Sequence, residues 1–338
     1  MGPAIRWARA PGDLARAVGE LGGTAQLALD TEGDSLHHYP ERLALVQIGL
    51  PDGVVWLVDP IALADLTPLG PVFTEPRRTL ILHAGDNDLV HLKRRYGLTF
   101  ASVFDTAIAA RFLGGKALGL DVLLATYLDV ELPPSRQKDD WSTRPLDAAQ
   151  VAYAAADVQH LFALRARLVE ELIRVGRLAW VEEECAALAA QPAPERPVDP
   201  DAWLGVKGAR DLPPRGLAAM RELVALREQL ARSADRPPFK ILGDDTLLRV
   251  AQALPPDAAT LGTIVGVTPR VLGRWGPAIL AAVERIGLEP GVVLPDRLIT
   301  AVAAAAPRTL EELGAVEGVR RWRVELLGQD LLAALASP

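Results

Sequence analysis

Cysteine is almost missing: one residue of 338, Cys185. No internal disulfide and no cysteine-rich metal site is open to such a chain. The five histidines are scattered, with no HExxH pair, which argues against a zinc centre built on histidine. Long apolar runs are lacking too, since none reaches the roughly 18 residues of a membrane span. The start, Met1-Gly-Pro-Ala-Ile-Arg6, has no apolar signal core, and Arg6 stands where a myristoylation pattern needs Ser or Thr. A cytoplasmic protein without a membrane partner is expected. Positive charge is in deficit, 36 basic against 43 acidic residues and a net charge of -7. That excludes a uniformly basic nucleic-acid coat but leaves a local basic face open. Only five of the basic residues are lysine, a bias read as genome composition rather than phosphate recognition.

Apolar residues are abundant. Half the chain is hydrophobic and 23% is charged, enough to bury real cores in two or three domains. The clearest break is Gln191-Pro-Ala-Pro-Glu-Arg-Pro-Val-Asp-Pro200, whose four prolines forbid a helix and suggest a stiff linker. Before it lie strand-like runs at 5–8, 25–29, 43–48, 54–58 and 79–82, interleaved with helical patterns, the longest from Asp147 to Val175. That order predicts an α/β domain with a mixed sheet over 1–190. After 200 the pattern is short amphipathic helices punctuated by Pro and Gly, which predicts an all-α region. This region repeats itself. Gly266-Val267, Gly276 and Ile279-Leu280 recur 52 residues on as Gly318-Val319, Gly328 and Leu331-Leu332, each with a nearby Trp, Trp275 and Trp322. Two related helical modules are expected, 201–288 and a shortened 289–338 without its first helix.

Three groups of carboxylates draw attention. Asp30-Thr31-Glu32 ends an apolar strand, where positions i and i+2 share a face, so both carboxylates project together. Two close negative charges need a counter-charge, and an oxygen-only ligand set suits Mg²⁺ or Mn²⁺. A solvated strand end would show the same residues. His83-Ala-Gly-Asp86-Asn-Asp88 follows the run 79–82 and enters a helix at the sheet's C-terminal edge. Asp86 fits the N-cap and Asp88 the first turn, or both only complement the helix dipole. Tyr153 and Asp157 share a helix face at i, i+4, with three alanines between them that permit close approach.

Four carboxylates and one tyrosine in this order match a two-metal phosphodiester-cleaving site. The first 180 or so residues resemble the ribonuclease D branch of the DEDD 3′→5′ exonucleases, on a ribonuclease H-like fold. Leu29-Asp30-Thr31-Glu32 with Leu45-Val46-Gln47-Ile48 carries the first motif; His83-Ala84-Gly85 with Asp88-Leu89 carries the second, and Phe104-Asp105-Thr106 also matches. Asp140-Trp141, Arg144-Pro145-Leu146 and Tyr153-Ala-Ala-Ala-Asp157 carry the third, and Tyr153 marks the tyrosine subgroup. Trp203-Leu204, Arg221-Glu222-Leu223, Pro237-Pro238 and Ile241-Leu242-Gly243-Asp244 resemble the HRDC module, and the repeat then reads as a degenerate second copy. The chain departs from the family at Gly33, where an aromatic or large apolar residue is common, at Pro134, where a lysine is usual, and at Asp129, where glycine is usual.

The resemblance implies an exoribonuclease that hydrolyses RNA 3′ ends to 5′-mononucleotides with two divalent ions, Mg²⁺ or Mn²⁺. It implies Asp30, Glu32, Asp88 and Asp157 as metal ligands, with Asp30 bridging, and Tyr153 positioning the attacking water. His83 is read as support rather than ligand, Lys93-Arg94-Arg95 as phosphate contacts or helix-end cations, and Trp141 and Arg144 chiefly as packing. The implied partner is RNA with a free 3′ end, transfer-RNA precursors above all, and nothing demands more than a monomer. A DNA-directed exonuclease and a non-catalytic RNA-binding adaptor are the alternatives, although an adaptor would commonly have lost an acidic ligand. The span 199–288 holds 12 basic and 10 acidic residues, so the rest of the chain carries the acidity. The first helical module is therefore the better place for the RNA body.

Overall fold

The computed structural model describes residues 3–193, 201–284 and 295–336. Packing divides the chain into two units, Met1–Arg196 and Pro197–Pro338. The linker expected at 191–200 falls outside the described residues beyond Ala193, and so does the boundary expected at 288. Among the described residues no helix is long and apolar enough to cross a membrane.

The first unit is a six-stranded mixed sheet: β1 (Ala4–Ala8), β2 (Gln26–Gly33), β3 (Leu43–Gly49), β4 (Val54–Val58), β5 (Thr79–Leu82) and β6 (Val103–Asp105), in the order β1-β4-β3-β2-β5-β6. β3 runs antiparallel to both neighbours and the other pairings are parallel. β3 and β4 are buried along their whole length. Their near-continuous Val, Leu and Ile content is what strands covered on both faces require. On one face Leu27, Leu29, Val46, Ile48 and Leu82 pack with α1 (Pro11–Gly22) and α3 (Asp86–Tyr96), and a short α2 (Gly70–Phe73) joins them. On the other, Ala28, Leu45, Leu57 and Ile81 meet α4 (Thr106–Phe112), α5 (Leu120–Leu128), α6 (Ala148–Gln159), α7 (Leu161–Arg174) and α8 (Leu178–Ala190).

Two local features differ from the sequence reading. β6 is a strand of three residues, too short to show an alternating pattern. The single helical stretch at 147–175 is two helices, α6 and α7, which meet at His160 (φ -98°, ψ -3°). Asp129, where the family favours glycine, takes the left-handed C-cap of α5 at φ 54°. That position suits glycine best and tolerates an aspartate.

The second unit is helical among the described residues. α9 (Pro214–Ala234) packs against α10 (Pro238–Ile241), α11 (Asp244–Ala253) and α13 (Pro269–Glu284), with α12 (Ala258–Gly262) on α13. α14 (Asp296–Ala305), α15 (Leu310–Ala315) and α16 (Arg321–Ala336) follow. α14 and α16 start 52 residues after α11 and α13. The offset holds for side chains. Gly266 and Gly318 both have positive φ (98° and 84°), and a Cβ there would collide with Thr246 and with Leu298, again 52 apart.

Candidate active site

The carboxylates gather at the end of β2, with a helix on each side of the sheet. Asp30 and Glu32 lie two apart on β2 and face α6, which brings Tyr153 and Asp157 on one side of the helix. The alanines of α6 let it lie close on β3: a Cβ at Gly49 would touch Val158 at 3.4 Å. Oxygens of Asp30, Glu32 and Asp157 all lie within 4.8 Å of one another, a grouping able to hold a metal ion. Asp88 arrives from the opposite face, in the first turn of α3, outside that triplet but with its charge acting on Asp30. Thr31 points to that same face, and its hydroxyl donates to Asp88 Oδ1.

Gly85, not Asp86, is the N-cap of α3; Asp86 is its first residue and is exposed. The turn is held from β6. Asp105, buried, accepts from Gly85 N–H at 2.8 Å and from the N–H groups of Ala107 and Ile108 at 2.8 and 3.0 Å. A Cβ at Gly85 would come within 2.8 Å of Leu82, so the tight entry into α3 needs glycine. His83 Nδ1 lies 2.9 Å from the Thr106 hydroxyl, and burial lowers its pKa, so it supports the turn as a neutral ring.

Burial pushes every acid of the cluster up, and the charges of the other acids add to it at Asp30 and Glu32. Glu32 is raised to about 9, first by burial and then by the charges of Asp157 and Asp88. Burial raises Asp157 to about 7 against the opposing hydrogen bond donated by Tyr153. Asp88 is raised to about 6, burial outweighing the Thr31 hydroxyl. Asp30 is raised well above the usual range by burial and then by Asp88, Asp157 and Glu32. Tyr153 is raised as well, by burial and by Asp157, Glu32 and Asp30, so its phenol stays protonated. The Ser135 hydroxyl donates to it, and Trp141, fully buried, packs its ring centroid 6.0 Å away.

These groups open into a cleft of about 790 Å³. Five carboxylates line it, Asp121 being the fifth, and none of its lining residues is Lys or Arg. A site of this composition attracts cations, and a set of carboxylate oxygens suits hard divalent ions. The residues present therefore fit a divalent metal. Pro134, standing where the family usually has lysine, is part of this wall, so the chain supplies no cation there.

The other residues singled out have structural work. Both oxygens of buried Asp59 accept from Arg144, which also donates to the carbonyls of Ala44 and Trp141. Lys93 Nζ donates to the carbonyls of Ala189 and Gln191 at the end of α8. Thr31, Ser135 and Asp105 had no functional role in the sequence reading. Ser135 and Asp105 reach the site only through pairings across the fold; the local signals were a Thr between two acids and the Phe104-Asp105-Thr106 match.

The model of the 3′-5′ exonuclease family matches residues 5–173, and that of the HRDC domain matches 216–283 and 284–335. A ribonuclease D of Pseudomonas paraeruginosa is 33% identical over 99% of this chain and 98% of its own length. Another, of Gluconacetobacter diazotrophicus, is 36% identical over 84% of this chain and 72% of its own. Among solved structures, Escherichia coli RNase D, described as an exoribonuclease involved in structured RNA processing, is 25% identical with a TM-score of 0.68, covering 98% of each chain. The chain belongs to the ribonuclease D family of 3′→5′ exoribonucleases.

Proposed function

We propose that the cleft removes mononucleotides one at a time from RNA 3′ ends, with two divalent ions held by Asp30, Glu32, Asp88 and Asp157. The observation that carries this is the placement of Asp30, grouped with Glu32 and Asp157 on one side and influenced by Asp88 on the other. Divalent cations at these oxygens would supply the positive charge that the scissile phosphate meets and would lower the pKa of an attacking water. The chain's own contribution is orientation. Tyr153, kept neutral by its surroundings, offers a hydroxyl to place that water beside Asp157. The packed turn at Gly85 and the Thr31 hydroxyl hold Asp88 on the far side. Water adds to phosphorus, the P–O3′ bond breaks, and a 5′-mononucleotide leaves a shortened chain with a new 3′ hydroxyl. With no Lys or Arg in the cleft wall, backbone charge is met by the ions rather than by side chains. The relatives' names support RNA as substrate, and transfer-RNA 3′ maturation is the role we assign; a single chain is sufficient for it.

The test is a digestion of matched 3′-labelled RNA and DNA with EDTA, Mg²⁺ or Mn²⁺. RNA should yield 5′-mononucleotides with either metal, and EDTA should abolish cleavage. Equal activity in EDTA would remove the metal reading, and preference for DNA would favour the DNA-directed alternative.

A further inference from the structure

Gln47 belongs to the first motif, yet the hydrolysis described above gives it nothing to do. It sits within β3, fully buried, and neither its amide nitrogen nor its amide oxygen has a hydrogen-bond partner among the described residues. Two unpaired polar atoms in the interior are unfavourable, and an apolar side chain of similar size would avoid both. A residue retained under that penalty calls for a use.

Its position supplies one. In the antiparallel pairing of β2 with β3, Gln47 stands directly opposite Asp30. Such cross-strand neighbours share a face with their Cβ atoms about 4.5–5.5 Å apart. Its other cross-strand neighbour is Leu57 on β4, and α6 covers this face with Ala154 and Val158. Asp30 is thus the polar side chain set beside the amide by the sheet.

Two of the other acids already have outer side-chain donors. Asp88 accepts from the Thr31 hydroxyl and Asp157 from the Tyr153 hydroxyl. Asp30 accepts from the backbone N–H of Thr31, and no side-chain donor to it is seen among the described residues. Acids that ligate metals are themselves hydrogen-bonded by a surrounding layer of donors, which fixes the direction of their lone pairs. We propose that Gln47 is the positioning residue of Asp30: its amide N–H donates to the Asp30 carboxylate when that group is charged and holding a cation. This rests on the metal-binding role assigned to Asp30 above.

The experiment is Mn²⁺ titration calorimetry on the full chain without RNA, comparing wild type with Gln47→Leu, Gln47→Met and Asp30→Asn. Urea denaturation and steady-state kinetics on RNA accompany it. Gln47→Leu should be at least as stable as wild type, since two unpaired polar atoms are removed. It should nevertheless bind Mn²⁺ about 10–100-fold more weakly, with kcat lowered and KM for RNA little changed. A merely structural Gln47 would move stability and leave metal affinity alone. Should the branched leucine fail to fold, Gln47→Met keeps the length and shape of the side chain and carries the same expectation. Wild-type Mn²⁺ affinity in the folded Gln47 variants, with Asp30→Asn impaired, overturns the positioning role alone. Wild-type affinity in Asp30→Asn removes the metal assignment beneath it.

Discussion

Tyr153 and Asp157 show how much a single contact decides. The phenol is buried among carboxylates and stays protonated, so in the proposed reaction it would orient by hydrogen bonding rather than act as a base. Replacing it by Phe keeps the ring against Trp141 and removes only the hydroxyl. Single-turnover kinetics on RNA should then show kcat down by roughly 10²–10⁴ with RNA binding unchanged; wild-type kcat would return Tyr153 to packing. The acids set a pH dependence as well. Glu32, Asp157 and Asp88 titrate near 9, 7 and 6 in the folded chain, all above their ordinary values. The metal-free folded state therefore holds protons that the unfolded chain has released, and stability falls as pH rises through this window. In EDTA, Tm should drop from pH 5 to pH 9. The rise in Tm produced by Mg²⁺ should grow over the same range, because cations compete with those protons. A metal-free Tm that climbs with pH would contradict the crowding of the acids.

Between residue and domain stand the connections that fix helices on the sheet. The loop from 129 to 147 has no helix or strand of its own, yet it carries Ser135 and Trp141 to the site. Arg144 pins it, with two bonds to Asp59 at 2.7 and 2.9 Å and one to Ala44 O at 2.6 Å. Burial pulls Asp59 up, and the guanidinium more than offsets this, holding it below its usual range. Arg144→Ala should cost about 3–5 kcal/mol, the price of leaving a buried charge unpaired. Lysine should rescue little, having no planar fork. Urea unfolding of both variants measures this, and a loss below 1 kcal/mol, typical of about the surface-pair range, would show that the pin is idle. Elements of this kind mark the limit of what the sequence discloses. Asp30 with Glu32, and Tyr153 with Asp157, are legible because strand and helix periods alone bring each pair together. Asp88 needed the family resemblance, since cap and ligand look alike in a helix's first turn. Ser135, Asp105 and Gln47 depend on pairings 17 to 20 residues away in the chain, which no local period encodes. β6 was too short to alternate, and the break at His160 leaves no proline or glycine as a sign.

At the scale of the whole chain, chemistry and repetition occupy different units. Asp30, Glu32, Asp88, Tyr153 and Asp157 all lie within Met1–Arg196, whose sheet and helices bury two cores of their own. The helical unit holds the 52-residue repeat, in which paired glycines at 266 and 318 turn the chain in the same left-handed way. Its first copy, with 12 basic and 10 acidic residues over 199–288, is the less acidic surface of a chain with net charge -7. The candidate cleft, lined by carboxylates and without Lys or Arg, has little side-chain charge with which to hold an RNA body. We propose that the helical unit contributes RNA binding, so its removal should separate affinity from turnover. A fragment ending at residue 198 should fold, as judged by circular dichroism, and keep kcat, because contacts special to the transition state remain. KM for RNA should rise, because uniform binding is what is lost. The log-log slope of RNA binding against salt should become shallower by about 0.7 for each phosphate contact removed. Ending the chain at 288 instead should change KM less, since the second copy has three described helices and none matching α9. Steady-state kinetics of both fragments at two salt concentrations decide the matter. A folded fragment 1–198 whose kcat collapses would mean that the helical unit shapes the chemical site, and binding and catalysis would then not be divided along the chain.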